Sequence, residues 1–132
     1  MPTEARWFIK TALLYLVLAL LTGLALTLPV TRAAALYPTY LHLFTVGWLT
    51  QLIAGVAFWL FPRFSRERLF GHRWLMWTTY GLLNTGLLLR AATEPFPSDS
   101  DFHRWGLTAS ALLQWLGGLA FVVYLWPRVK TK

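Results

Sequence analysis

The chain has 132 residues, 57% of them hydrophobic and only 13% charged, with a net charge of +7. A soluble domain carries about twice that share of charge, and the mean hydropathy of +0.51, with basic residues lying between long apolar runs, argues against a water-soluble nucleic-acid-binding domain. The absence of cysteine excludes disulfides, thiolate zinc sites, iron–sulfur clusters and covalently attached c-type haem, so any metal must be held by nitrogen or oxygen.

A membrane span needs about 20 mostly apolar residues at 1.5 Å rise each. Four runs meet that length, at about residues 7–28, 40–61, 74–92 and 105–126. Between them lie stop signals: Pro29 and Pro38 around the first connection, Pro62 after the second run, and Pro95 and Pro97 with Ser98 and Ser100 in the third. The expected fold class is therefore all-α, a polytopic membrane protein whose single domain, residues 1–132, is a bundle of four transmembrane helices. Arg6 and Lys10 ahead of an apolar run, with Ala33-Ala34-Ala35 beyond it, also fit a cleaved signal peptide, but the run is too long for a typical signal-peptide core.

Lys and Arg distribute unevenly about these runs. One side holds Arg6, Lys10, Arg63, Arg66, Arg68, Arg73, Arg128, Lys130 and Lys132, the other Arg32, Arg90 and Arg104. The positive-inside rule then puts both termini in the cytoplasm and the protein in the cell inner (plasma) membrane. Glu94, Asp99 and Asp101 gather on the outer side, and Trp7, Trp59, Trp74, Trp77, Trp105 and Trp126 lie near run ends, where indoles anchor at headgroups.

The chain also matches itself at an offset of 63 residues (83 − 20). Leu20, Thr22, Gly23, Leu24 and Leu26 fall on Leu83, Thr85, Gly86, Leu87 and Leu89, and Gln51, Gly55, Ala57 and Phe58 fall on Gln114, Gly118, Ala120 and Phe121. Both helices agree on one offset, as a duplicated helical hairpin with halves of about 1–63 and 64–128 would. Gly47, Gly55 and the Gly117-Gly118 pair are expected to let backbones approach, and Gln51, Asn84 and Gln114 to bond across helices.

Of three histidines, His42 and His103 fall near the outer starts of the second and fourth runs, whereas His72 lies in the basic loop. His42 heads a row with Val46, Leu49, Ile53 and Leu60, so an imidazole tops an apolar helix face, opposite Gly47, Gln51 and Gly55. Such a wall suits a flat macrocycle with nitrogen-ligated iron, and Arg32, Arg90 and Arg104 stand where its propionates would emerge. The plainer reading satisfies His42 through a neighbouring hydroxyl or carbonyl, with Thr39, Tyr40 or Thr45 at hand, and leaves the arginines to snorkel.

The stretch 40–63, YLHLFTVGWLTQLIAGVAFWLFPR, resembles the second transmembrane helix of subunit I in the haem-copper oxidase superfamily, nearest the nitric-oxide-reductase branch. The matching residues are His42, Gly47, Trp48, Gly55, Leu60, Pro62 and Arg63, and NTGLLLR from Asn84 to Arg90 looks like the next helix of such proteins. The resemblance implies that His42 is an axial ligand of a low-spin haem b. It does not extend to the binuclear oxygen-reducing centre, which needs more ligand histidines than this chain holds, and the usual His-x-His is here Tyr40-Leu41-His42. A second axial ligand would come from His103, or from His42 of another protomer in a two-fold homodimer.

The expected function is a membrane cytochrome b-like component in electron transfer or redox or gas sensing, with a respiratory-chain partner. The alternative is a non-catalytic accessory or assembly subunit of a respiratory membrane complex. A transporter is disfavoured because no run contains an ionisable pair, and no phosphate loop or nucleophile–base spacing suggests an independent enzyme.

Overall fold

In the computed structural model, residues 1–29, 33–61 and 73–129 are described. Among them the chain is helical, without a strand: α1 Thr3–Ala25, α2 Ala33–His42, a π-helical segment Leu43–Thr50, α3 Gln51–Leu60, α4 Arg73–Thr93, α5 Asp101–Leu125 and a closing 3-10 turn Trp126–Arg128. α2, the π segment and α3 run on as one helix. Three helices, Thr3–Ala25, Ala34–Leu60 and Asp101–Arg128, are long and apolar enough to cross a membrane. α4 has the length, 21 residues, but Thr78, Thr79, Asn84 and Thr85 dilute its apolar character.

α1 begins a turn earlier than expected because Pro2 precedes it and Glu4 sits in its first turn, where a carboxylate favours the helix dipole. Its buried residues Ala5, Phe8, Ala12, Tyr15 and Ala19 step by three and four, as one face of an α-helix does. It closes with the Thr27 hydroxyl donating to the Leu24 carbonyl at 2.7 Å, just before Pro29.

The second helix departs from the expected pattern in two ways. Pro38 does not end a turn. It lies inside α2, where its missing N–H forfeits a backbone bond to the carbonyl four residues earlier, yet the helix continues through it. The buried residues Thr39, Leu43, Gly47, Gln51 and Gly55 then recur at a strict interval of four. On a 3.6-residue turn each such step overshoots by about 40°, and the π segment, with its wider turn, absorbs the drift. Two hydroxyls secure carbonyls along it: Thr45 Oγ1 donates to Leu41 O at 2.7 Å and Thr50 Oγ1 to Thr45 O at 2.8 Å.

α5 starts four residues before the expected position because the Ser100 side chain caps it, accepting from His103 N–H at 3.3 Å. α1 packs on the π segment and α3, and α4 packs on α5, while the two pairs meet where α4 touches α1 and the π segment and where α3 touches α5. Phe58 is central: its ring sits edge-on to Phe8 at 5.0 Å, Tyr124 at 4.8 Å and Phe121 at 5.6 Å, which joins α1, α3 and α5. A second cluster of Tyr15, Ala19, Leu43 and Leu87 fills the other end of the interface.

Glycine permits these approaches at defined places. A Cβ on Gly55 would lie 2.9 Å from Ile9 Cγ1 and 3.2 Å from the Ala5 carbonyl oxygen, and one on Gly47 would lie 2.7 Å from the Tyr15 ring. Gly117 packs under Leu83, but Gly118 faces open space, so only one of the adjacent pair serves contact. Gly86, with Ser110 O at 3.0 Å from its added Cβ, is a contact that the sequence reading did not single out.

Candidate functional site

The cluster around His42 is organised by Glu94, directly beyond α4. Glu94 Oε1 accepts from Arg90 Nε at 3.0 Å, Oε2 accepts from the Thr39 hydroxyl at 3.2 Å, and His42 Nδ1 stands 3.7 Å from Oε2. Thr39 is buried and the Glu94 side chain only 10% exposed. The carboxylate therefore ties α2 to the end of α4 in a place shielded from solvent.

His42 Nδ1 lies 2.8 Å from the Pro38 carbonyl oxygen. A carbonyl only accepts, so Nδ1 must carry the proton, and in the neutral ring Nε2 bears the lone pair. Nε2 has no hydrogen-bond partner among the described residues. Neither Thr45 nor Tyr40 satisfies the ring: Thr45 bonds to Leu41 O, and Tyr40 packs beside Phe44.

These residues fit a haem on one side. A ligating imidazole commonly donates its second nitrogen to a carbonyl or carboxylate, which fixes the ring and its tautomer, and Pro38 and Glu94 stand in those places. Leu49, Ile53 and Leu60 are 42%, 54% and 69% exposed and form an outward apolar surface, but the π segment breaks the regular turn that would carry the row up to His42, and Val46 packs inward against the core. Pro38 also borders an open apolar groove of about 510 Å³ with Leu26, Ala34 and Tyr37.

The other expected site residues are less tightly grouped. Arg90 is committed to Glu94 and is not a free cation for a propionate. Arg104 is exposed in the first turn of α5, without an ion pair among the described residues, and His103 is half-buried one residue before it. α2 and α5 do not pack on each other; α4 packs on both. The structure does not bring His42 and His103 into one contact cluster. Arg32 and His72 lie outside the described residues. No group of three His, Cys, Asp or Glu able to hold a metal ion occurs among the described residues.

Three polar contacts hold the helices together along their length. Gln51 Nε2 donates to Asn84 Oδ1 at 3.1 Å, and Asn84 Nδ2 returns a bond to Gln51 Oε1 at 3.2 Å. The Thr11 and Tyr80 hydroxyls meet at 2.7 Å. Ser110 Oγ donates to Gly86 O at 2.8 Å, and Gln114 bonds to that same Ser110, within its own helix. At the opposite end Arg73 Nε donates to the buried Glu4 carboxylate at 2.7 Å. The signal for Glu94 and Glu4 was available in the sequence as acids close to arginines at helix ends, but their partners are set by the fold. Comparison with family models, curated proteins and solved structures matches none of them.

Proposed function

We propose that this chain is a polytopic protein of the cell inner membrane, both termini cytoplasmic, in which His42 is an axial ligand of haem b serving electron transfer or redox or gas sensing. The observation that carries the reading is the His42 ring: Nδ1–H is spent on the Pro38 carbonyl at 2.8 Å, and Nε2 remains as the available donor atom. The Lys and Arg asymmetry and the three apolar helices support the membrane setting.

Within this reading Pro38 and Glu94 orient the imidazole and keep its tautomer, and Arg90 fixes the position of the Glu94 side chain. Leu49, Ile53 and Leu60 leave an apolar surface further along the same helix. Haem bound there would supply a one-electron iron couple. Because His42 and His103 lie in helices that do not pack on each other, the second ligand would come from His42 of a second copy, which would also cover the open wall.

Absorption spectra of the purified chain, oxidised and then reduced, test this directly. The expected result is a Soret band that His42→Ala removes while helical circular dichroism is retained. A colourless preparation after haem-sufficient expression, or equal haem content in His42→Ala, rejects the cytochrome reading. The second reading, an accessory or assembly subunit, is favoured by α5, which buries only Ser110, Gly117 and Tyr124 and exposes Trp105 and Trp115. It predicts a colourless protein that co-purifies with a respiratory complex.

A further inference from the structure

α1 carries two unlike faces. The buried one holds Ala5, Phe8, Ala12, Tyr15 and Ala19. At 100° per residue the opposite face holds Arg6, Lys10, Leu13, Val17, Leu20, Leu21 and Leu24, which fall within about 50° of its centre. Arg6 and Lys10 are exposed, and the five apolar side chains beyond them are each half exposed or more. The stripe therefore reads as two cations at one end and a continuous hydrocarbon track above them.

The local acid does not neutralise this pair. Glu4 is 3% exposed and turned inward onto Arg73, and among the described residues neither Arg6 nor Lys10 has an acidic partner. Trp7, exposed at the same level, is placed as a headgroup anchor. Two positive charges four residues apart, one a planar fork and one a point charge, match the oxygens of a phosphodiester. The leucines above match its acyl chains. The order of charge and apolar surface along the stripe is that of a phospholipid lying against it.

We propose that this face of α1 is a binding site for one anionic glycerophospholipid of the inner leaflet, its phosphate held by Arg6 and Lys10 and its chains laid along Leu13, Val17, Leu20 and Leu24. The proposal rests on the membrane reading above, and is independent of haem. Each cation near an anionic headgroup favours it by a factor of about five, so the pair favours it by about thirtyfold.

The full chain is reconstituted in nanodiscs of equal phosphatidylglycerol and phosphatidylcholine, and the lipids it retains on release are counted by native mass spectrometry. Wild type should retain phosphatidylglycerol preferentially by about thirtyfold, Lys10→Gln by about fivefold, and Arg6→Gln/Lys10→Gln should show no preference, with unchanged helical circular dichroism because both side chains are exposed. Lys10→Arg should retain the preference. As a control, Arg66→Gln/Arg68→Gln in the basic loop should leave it intact. The site is refuted if the α1 double variant keeps the wild-type ratio or if the loop variant abolishes it. A chain that does not enter nanodiscs at all refutes the membrane reading itself, a distinct result.

Discussion

Replacing Asn84 with alanine removes both halves of the reciprocal amide bond to Gln51, whose side chain is wholly buried. Interhelical hydrogen bonds inside membranes contribute about 0.6 kcal/mol each, reaching about 1.7, so the two bonds should couple by about 1.2 kcal/mol. Asn84→Ala alone should cost more, about 2 to 3 kcal/mol, because it also strands the Gln51 amide. Once Gln51 is itself alanine, Asn84→Ala should cost about 1 kcal/mol less, since no amide is left stranded. The assay is a double-mutant cycle in detergent micelles, with reversible unfolding followed by circular dichroism. Additivity of the two single changes within about 0.3 kcal/mol would refute the pairing.

Two further outcomes follow from the backbone. Gly55→Ala should destabilise by about 1 to 3 kcal/mol because its Cβ meets the Ala5 carbonyl as well as Ile9, and backbone cannot rotate away. Gly118→Ala, with nothing within 4 Å, should be neutral or slightly stabilising in the same melt; equal losses at both sites would contradict the packing. Deleting Val46 from the π segment should restore an α-helical turn and leave His42 in nearly its present orientation relative to Gly47, Gln51 and Gly55, because the residue removed is the one the wider turn accommodates. Amide spectra of the deletion variant should then show His42 still beside Glu94, with helix content unchanged, and loss of that contact would argue against the π geometry.

Much of the helix layout was legible because it depends on local composition. α4 was expected over 74–92 and spans Arg73–Thr93, and Gln51 and Asn84 were read as amides that must bond across helices, which they do, to each other. Pro38 misled because a proline marks a helix end only where the surrounding packing does not hold the helix together, and here α2 continues through it. The π segment was encoded in the four-residue spacing of Thr39, Leu43, Gly47, Gln51 and Gly55, but a row drawn from His42 at steps of three and four assumes a regular turn and passes over it. Around His42, sequence placed the imidazole and the outer arginines at one end. It could not foresee that Arg90 would be taken by Glu94, since that depends on how α2 lies against α4.

The Glu4–Arg73 pair joins residues 69 positions apart. During synthesis at about 5 to 20 residues per second, the carboxylate waits roughly 3 to 14 s before its guanidinium exists. Until then α1 lacks the guanidinium that meets Glu4 in the finished fold, so this contact forms only after the second helical pair begins to emerge. The first hairpin is thus an unfinished object while it stands alone, and its maturation is timed by the second.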